Sequence, residues 1–332
     1  MNETLVKFEQ ALAGVQRILL TTHVNPDGDA VGSTLAMRAI LERAGKHAVV
    51  VMSDAVPEKY RFLVDHHLYR PGPGALDEEL EAGRFEMVVF IDASERERVG
   101  PVLEFLPDWC TPGAVVVNID HHVSNDRFGD VVLIDPGRAS AAEIVHETVT
   151  HLGIDLTPSI ATQLYAGVLT DTGRFSYSNT TVECLRTAAE LVAAGADPTA
   201  IAERIYAERP LIFYRLLGRL LVHLETHHEG RTCLMILPAE VIAELYPEGG
   251  MDTEGIVDYT VQIGGVEVGA FLRQTGEGAW RASLRSRGRV NVREVAEAFA
   301  GGGHDSAAGC ALTGDLEQIR KRLLDEIGKS LA

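Results

Sequence analysis

The chain has 332 residues, of which 46% are hydrophobic and 23% charged, close to the average of globular proteins. This length exceeds what one ordinary core usually serves, so a single small module is excluded and two domains are expected. Acidic residues outnumber basic ones by 48 to 30, for a net charge of −18, which argues against a protein that coats nucleic acid non-specifically or binds anionic membranes.

The cysteines and the N-terminal segment indicate a cytoplasmic protein. The four cysteines are widely spaced and form no C-x-x-C pair, which favours neither a zinc module nor a disulfide framework. The first residues include Glu3 and Glu9 and no long apolar core. No uncharged apolar run approaches the roughly 20 residues of a membrane span. We therefore expect no targeting segment.

Short β-branched runs alternate with helical patterns in the first half of the chain. The predicted strands cover residues 17–22, 47–52, 85–92, 114–120 and 130–136. Near-continuous apolar strands separated by helices are typical of a parallel sheet. The predicted fold class is therefore α/β, with an N-terminal parallel-sheet domain that carries helices on both faces.

The second half of the chain is helical at first and then returns to strands. Helical patterns continue to about Leu224, and strands are predicted at 232–238, 266–274 and 279–288. Together with later helices they indicate a smaller C-terminal α/β domain. The expected organisation is an N-terminal domain over 1–190, a helical connector over 191–225 and a C-terminal domain over 226–332.

Polar residues follow three of the predicted parallel strands. The first strand leads into a loop that contains His23, Asp27 and Asp29, the third ends at Asp92, and the fourth ends in the tripeptide 120–122, Asp-His-His. In open parallel sheets, ligands bind outside the carboxyl ends of the strands. Each of these residues taken alone is more simply a turn or a helix cap. Their coincidence at three strand ends predicts a functional site.

The composition of this predicted site indicates metal binding. Several carboxylates at one sheet edge repel one another unless cations compensate them. Imidazole and carboxylate without thiolate favour manganese or a similar first-row ion over calcium. Two such ions, about 3.5–4 Å apart, can activate a water and stabilise the oxygens of a phosphoryl displacement.

Five motifs in order give the chain a family resemblance. They read TTHVNPDGDAVGS, FIDASERERVG, NIDHHVSN, GVLTDTGRFSYSNTT and GGGHDSAAG, and together run from about Thr21 to Gly309. With them the chain resembles the DHH phosphoesterases that carry a C-terminal DHH-associated domain. It is most similar to their bifunctional oligoribonuclease and pAp phosphatase branch, the nanoRNases. The resemblance implies a hydrolase with two Mn²⁺ ions per active site, in a cleft between the two domains.

The resemblance also implies which residues bind the ions. The six implied ligands are His23, Asp27, Asp29, Asp92, His121 and Asp171. Asp92 is expected to bind both ions. His23 and Asp27 would complete the ligands of one ion, and Asp29, His121 and Asp171 those of the other. Asp171 is implied by the resemblance alone.

Three residues are implied in catalysis, and Asp92 is one of them. Asp120 resembles a group that orients an imidazole. His122 resembles a residue on the substrate side, which either contacts phosphate or helps to protonate the leaving oxygen. These two roles for His122 stay open.

Two segments of the second domain are candidates for phosphate binding. Strand alternation predicts Arg285, Arg287 and Arg289 on one face, where guanidinium groups bind phosphate, although charges that protect an edge strand are an alternative. The glycines 301–303 are either a flexible helix cap or backbone that approaches an anion closely, and the resemblance favours the anion. The candidate substrate-binding residues are Arg98, Asn125, Ser140, Arg285, Ser286, Arg287, Gly302, Gly303 and His304. Members of this branch often have a Ser/Thr cluster where this chain has only Ser140.

The expected activity is the hydrolysis of short oligonucleotides to mononucleotides. The expected substrates are short single-stranded RNA, linear dinucleotides such as pApA and pGpG, and pAp, while duplex DNA and membranes are not expected partners. The resemblance allows a homodimer. One alternative is a cyclic di-AMP phosphodiesterase. Another is a non-catalytic nucleotide-binding sensor, which the complete set of metal ligands disfavours.

Overall fold

The computed structural model describes residues 2–207, 209–247, 249, 251, 253 and 255–331. The chain divides into two compact units, residues 1–208 and 209–332. The predicted α/β class is confirmed, because the first unit contains a parallel sheet with helices and the second, smaller unit contains another sheet with helices. The segment 191–225, expected as a connector, contributes elements to both units.

All five strands of the first unit are parallel, in the order β2-β1-β3-β4-β5. They are β1 (Arg17–Thr22), β2 (His47–Val50), β3 (Phe85–Ile91), β4 (Cys110–Asp120) and β5 (Val131–Ile134). The strand order reverses between β1 and β3, which is the switch point where doubly wound sheets bind their ligands. The predicted strands are thus confirmed, and β4 begins four residues earlier than expected.

Helices cover both faces of this sheet. They are α1 (Asn2–Ala13), α2 (Gly28–Arg43), α3 (Asp77–Glu81), α4 (Val102–Trp109), α5 (Ala141–His151), α6 (Pro158–Asp171), α7 (Val182–Ala193) and α8 (Pro198–Ala202). Leu20 and Val89 belong to the core on the side of α1, α2, α5 and α6, whereas Leu19 and Val88 belong to the core on the side of α4. This alternation explains why the strands read as continuous apolar runs.

Two glycines allow α2 and α6 to pack very closely. A Cβ on Gly32 would lie 2.2 Å from the carbonyl oxygen of Gln163, and one on Gly167 would lie 2.7 Å from Oδ1 of Asp29. Neither glycine can therefore be replaced without moving a neighbour. The close packing brings Asp29, at the start of α2, against α6.

The second unit contains a six-stranded sheet in the order β10-β11-β9-β8-β7-β6. Its strands are β6 (Glu225–His227), β7 (Thr232–Leu237), β8 (Val268–Gly276), β9 (Ala279–Ser286), β10 (Gly302–His304) and β11 (Ala307–Thr313). Only β7 and β8 pair in parallel. Its helices are α9 (Leu211–Val222), α10 (Ala239–Leu245), α11 (Asp258–Val261), α12 (Val292–Glu297) and α13 (Leu316–Leu331).

The predicted alternation of arginines beyond residue 285 is wrong, because β9 ends at Ser286. The Ser286 hydroxyl oxygen accepts hydrogen bonds from the backbone N–H groups of Gly288 and Val290, at 3.1 and 3.3 Å. These bonds turn the chain out of the sheet. Arg287 is therefore an exposed residue of a turn rather than one face of a strand.

The glycine-rich segment forms strand β10 rather than a flexible cap. A Cβ on Gly301 would lie 2.3 Å from Gly309 O, and one on Gly303, at φ +137°, would lie 2.5 Å from Ala307 O. Close pairing with β11 therefore requires both glycines. A Cβ on Gly302 would have no atom within 4 Å, so the fold of this unit does not require that glycine.

No helix among the described residues is long and apolar enough to cross a membrane.

Candidate metal centre

The loop after β1 is organised by the start of α2. Asp27 is the N-cap of this helix, and its Oδ1 accepts hydrogen bonds from the backbone N–H groups of Asp29 and Ala30, both at 3.0 Å. His23 Nδ1 donates to the carbonyl of Val24 at 2.8 Å, which leaves its Nε2 as the atom that can bind a metal. The turn thus fixes a carboxylate and an imidazole at the carboxyl end of β1.

Asp92 follows β3 and lies among three imidazoles. Its Oδ2 is 3.4 Å from His23 Nε2, while its Oδ1 is 3.6 Å from His121 Nε2 and 3.5 Å from His122 Nδ1. This Oδ1 is buried and has no hydrogen-bond partner among the residues that the structure describes. A buried carboxylate oxygen without a donor calls for another partner, and a bound ion among the nearby imidazoles could supply it.

A second group of ligand atoms lies where α2, α5 and α6 meet. The fully buried Asp29 carboxylate accepts hydrogen bonds from Ala141 N at 2.6 Å and Ala142 N at 3.0 Å, at the first turn of α5. His121 Nε2 is 3.9 Å from Asp29 Oδ2 and 3.2 Å from Asp171 Oδ2. The latter oxygen is also buried and has no hydrogen-bond partner in the described part of the chain.

Asp120 holds His122 in place. Asp120 is completely buried, and its Oδ1 accepts from His122 Nδ1 at 2.7 Å. Its Oδ2 accepts from Asn125 Nδ2 at 2.6 Å. Asn125 also donates to Ala93 O and accepts from Arg127 N, so its amide supports Asp120 and the surrounding loop. Burial alone would lower the pKa of His122, but the hydrogen bond and charge of Asp120 raise it to about 9.

The positive groups near the site do not balance the negative charges of its carboxylates. Burial and the charge of Asp92 raise the pKa of Asp29 well above its ordinary value. Burial and the charge of Asp27 do the same to Asp171. Burial would also raise the pKa of Asp92, but the hydrogen bond with His23 and nearby imidazoles lower it instead. A divalent cation would relieve this repulsion.

The described residues of the first unit form three groups of possible metal ligands; one consists of Asp92, Asp120, His121 and His122, and the other two are sets of three. His23, Asp27 and Asp92 offer ligand atoms that all lie within 4.8 Å of one another, and so do Asp29, His121 and Asp171. Both groups offer nitrogen and oxygen donors without sulfur, which fits a first-row divalent ion. The six residues implied by the family resemblance are those that the structure brings together here. These clusters could bind metal.

Two candidate substrate residues of this unit have different surroundings. Arg98 is exposed and lies in a 3₁₀ turn, and its carbonyl accepts from Val24 N at 2.7 Å, which ties the turn to the loop of His23. Ser140 is fully buried and caps α5 by accepting from Glu143 N at 3.3 Å. The structure therefore explains Ser140 as a helix cap.

The remaining candidates lie in the second unit, on or next to β9 and β10. Arg285 Nε donates to Asp258 Oδ1 at 2.9 Å, and Ser286 organises the turn described above. Arg287 in that turn is exposed, and His304 at the end of β10 is half-buried. Gly302 and Gly303 are the first two residues of β10.

Two polar residues near the ligands were not indicated by the sequence. Asn179 Nδ2 donates to Ala139 O at 3.2 Å and to Asp171 O at 3.1 Å. Glu143 is buried and accepts from Ala139 N at 2.6 Å. Asn179 lies in the motif GVLTDTGRFSYSNTT, but its partners lie 8 and 40 residues away, so no local pattern marks its role.

Family models match both parts of the chain. Residues 17–168 match the N-terminal domain of the DHH family, and residues 250–329 match the DHHA1 domain.

Relatives match nearly the whole chain. A Thermus thermophilus protein named bifunctional oligoribonuclease and PAP phosphatase is 37% identical, over 95% of this chain and 90% of that protein. A Bacillus subtilis protein of the same name is 27% identical over 89% of each chain. The crystal structure of an exopolyphosphatase-related protein from Bacteroides fragilis is 26% identical, with a TM-score of 0.84 and coverage of 99% of this chain and 96% of that one.

A cyclic-di-AMP phosphodiesterase of Listeria monocytogenes is also similar, at 24% identity. The match covers 96% of this chain but only 48% of that protein. The two proteins therefore share one region rather than a complete architecture.

Proposed function

The chain belongs to the DHH family of phosphoesterases and is a hydrolase, and from this premise we propose its cofactor and substrates. It is a manganese-dependent enzyme that releases mononucleotides from short oligoribonucleotides and linear dinucleotides, and it converts pAp to AMP and phosphate. The observation that carries the proposal is the pair of buried carboxylate oxygens, Asp92 Oδ1 and Asp171 Oδ2, that lack hydrogen-bond partners among the described residues. Both lie within 4 Å of an imidazole nitrogen.

Two manganese ions would be held by the two sets of three ligands in the first unit, with Asp92 shared between them. When bound, a pair of divalent ions lowers the pKa of water and stabilises charge on phosphate oxygens. Asp27 also caps α2, and Asp29 also accepts two backbone amides, so both carboxylates are oriented before any ion binds. Such preorganisation is what a catalytic metal site needs from its protein.

His122 and Asp120 act on the substrate side of this centre. Asp120 holds Nδ1 of the ring, which fixes the ring plane and the position of the proton between them. His122 then contacts a phosphate oxygen or protonates the leaving oxygen. Asn125 holds the other oxygen of Asp120 and so supports the same ring.

Candidate phosphate-binding groups are present in each of the two units. Arg98 of the first unit is exposed, and so is Arg287 of the second. Gly302 leaves its side-chain position open, so its backbone can be approached closely by an anion. Arg285 and His304 complete this set. A site that grips the terminal phosphate of a short chain favours release of one nucleotide at a time.

Hydrolysis of cyclic di-AMP is the second candidate activity. It is favoured by the similarity to the Listeria monocytogenes phosphodiesterase, although this chain spans about half of that protein. The free, buried state of all four cysteines agrees with a cytoplasmic enzyme that meets either substrate.

Product analysis with Mn²⁺ tests the proposal. The purified protein is incubated in parallel with pApA, a five-nucleotide RNA, pAp and cyclic di-AMP, and products are separated by chromatography. We expect AMP from pApA and pAp and mononucleotides from the RNA. Cleavage of the cyclic compound alone would replace the proposal by the second candidate. Binding of pAp without turnover at any metal concentration would indicate a nucleotide sensor instead.

A further inference from the structure

One short segment contacts two of the proposed metal ligands through its backbone. Residues 138–142 comprise the end of the loop between β5 and α5 and the first two residues of α5, and His121 Nδ1 donates to the carbonyl of Arg138 at 3.3 Å. The backbone N–H groups of the last two residues donate to the carboxylate of Asp29, as described above. The position of this segment therefore decides how an imidazole and a carboxylate are oriented.

Asn179 connects this segment to a third proposed ligand. Its Nδ2 carries two hydrogens, and it donates to Ala139 O and to Asp171 O at 3.2 and 3.1 Å. Asp171 is the last residue of α6, where helix carbonyls lack partners within the helix. One side-chain amide thus joins the 138–142 segment to the end of the helix that carries Asp171.

Glu143 holds the same segment from the other side. Its Oε2 accepts from Ala139 N at 2.6 Å, and its Oε1 is 3.8 Å from Arg138 Nη1. The side chain is completely buried, so these contacts are shielded from water. Ala139 is therefore held at its N–H by Glu143 and at its carbonyl by Asn179.

We propose that Asn179 is a positioning residue, which through the 138–142 segment keeps Asp29, His121 and Asp171 in one metal-binding arrangement. Glu143 is its counterpart on the opposite side of the segment. The proposal rests on the metal assignment in the proposed function. The proposal adds that the affinity of the site for Mn²⁺ depends on Asn179, which does not have to contact the ion.

The test measures Mn²⁺ binding rather than turnover. Metal-free wild type, Asn179→Ala and Thr181→Ala are titrated with Mn²⁺ alone, and free ion is followed by electron paramagnetic resonance. Thr181 is a matched control, since it lies two residues away and caps α7 by accepting from Cys184 N at 3.1 Å. Thermal unfolding of the metal-free proteins is recorded alongside.

We expect Asn179→Ala to weaken Mn²⁺ binding by about 10- to 100-fold, as loss of an outer partner of a ligand typically does. Thr181→Ala should lower the unfolding temperature and leave Mn²⁺ affinity at the wild-type value. Equal Mn²⁺ affinity in wild type and Asn179→Ala would overturn this inference and leave the proposed function intact. Wild type that binds no Mn²⁺ would instead refute the metal assignment, and the inference with it.

A second pair of variants asks the same question if Asn179→Ala does not fold. Glu143→Gln keeps a carbonyl that accepts from Ala139 N, whereas Glu143→Ala removes it. We expect Mn²⁺ affinity near wild type in the first and reduced in the second. Equal affinity in both, at wild-type level, would count against a positioning role for the segment.

Discussion

His122 Nδ1 lies 2.7 Å from Oδ1 of Asp120, a carboxylate that is completely buried and held at its other oxygen by Asn125. The ring of His122 is thus oriented by a residue whose own side chain is not accessible to a substrate. In the proposed function, Asp120 would therefore act through His122.

Replacing Asp120 with Asn should reduce turnover of pApA by about 10- to 100-fold, since the partner that orients the imidazole is weakened. The measurement is steady-state kinetics with saturating Mn²⁺. Asp126→Asn is the matched control, because this exposed carboxylate accepts from Phe128 N and contacts no imidazole in the described contacts. A comparable loss in both variants would show that the loop, rather than the ring, is affected.

Asp92→Ala should abolish turnover, because both proposed ions lose a ligand. The decrease should exceed the roughly 100-fold that an outer partner can cost. Mn²⁺ content after dialysis, measured by elemental analysis, should fall in parallel. If the variant kept wild-type activity and two bound ions, the assignment of Asp92 as the shared ligand would be wrong.

Removal of metal should inactivate the enzyme and lower its unfolding temperature. The carboxylates raised in pKa by burial and by one another lose their compensating charge when the ion leaves. At a free Mn²⁺ concentration 100 times the dissociation constant, binding adds about 2.7 kcal/mol to the free energy of unfolding. Scanning calorimetry with chelator and with Mn²⁺ checks this, and identical transitions would contradict it.

Alanine substitutions at Gly302 and Gly303 should distinguish an effect on phosphate binding from an effect on folding. Gly303→Ala places a Cβ 2.5 Å from Ala307 O at φ +137°, and we expect a loss of about 1–3 kcal/mol in the free energy of unfolding. Gly302→Ala has open space and should unfold like wild type, yet raise the KM for pAp if phosphate approaches the backbone there. Wild-type KM in Gly302→Ala would argue against a phosphate contact at this residue.

Gly167→Ala should damage both stability and metal binding in the first unit. The new Cβ would lie 2.7 Å from Asp29 Oδ1 and 2.8 Å from Ala142 Cβ, so a cost of about 1–3 kcal/mol is expected, with weaker Mn²⁺ binding. Gly218→Ala, at an exposed position of α9 with no atom within 4 Å of the new Cβ, should be neutral or stabilising by up to about 1 kcal/mol. Chemical denaturation and Mn²⁺ titration of both variants check the comparison.

The parallel sheet was predicted from the sequence, and so was the position of several candidate ligands at its strand ends, because both follow from local patterns. Short apolar runs mark the strands, and His23, Asp92 and Asp120 stand directly after the strands or at their ends. Asp171 could not be found this way, since it ends a helix, and only the family resemblance indicated it. What brings it to the centre is the close packing of α2 and α6 at Gly32 and Gly167, which involves residues more than 130 positions apart.

The substrate side was predicted less well for a related reason. The hydroxyl oxygen of Ser286 turns the chain after β9, and nothing in the alternation of arginines shows this contact. The pairing of β10 with β11 depends on what a side chain at Gly301 or Gly303 would strike, which a run of three glycines does not reveal. Asn179 shows the same limit, since its partner Ala139 is 40 residues away.

The close packing of α2 and α6 also determines when the proposed ligands can come together during synthesis of the chain. A ribosome releases the loop of His23 first, then Asp92 and the DHH tripeptide, and only much later Asp171. Until α5 and α6 have emerged, Asp29 lacks the amides of Ala141 and Ala142 that hold its carboxylate. On the proposed metal assignment, a nascent chain that already carries five of the six ligands would therefore bind metal poorly, and the ions would be captured only once the first unit is complete.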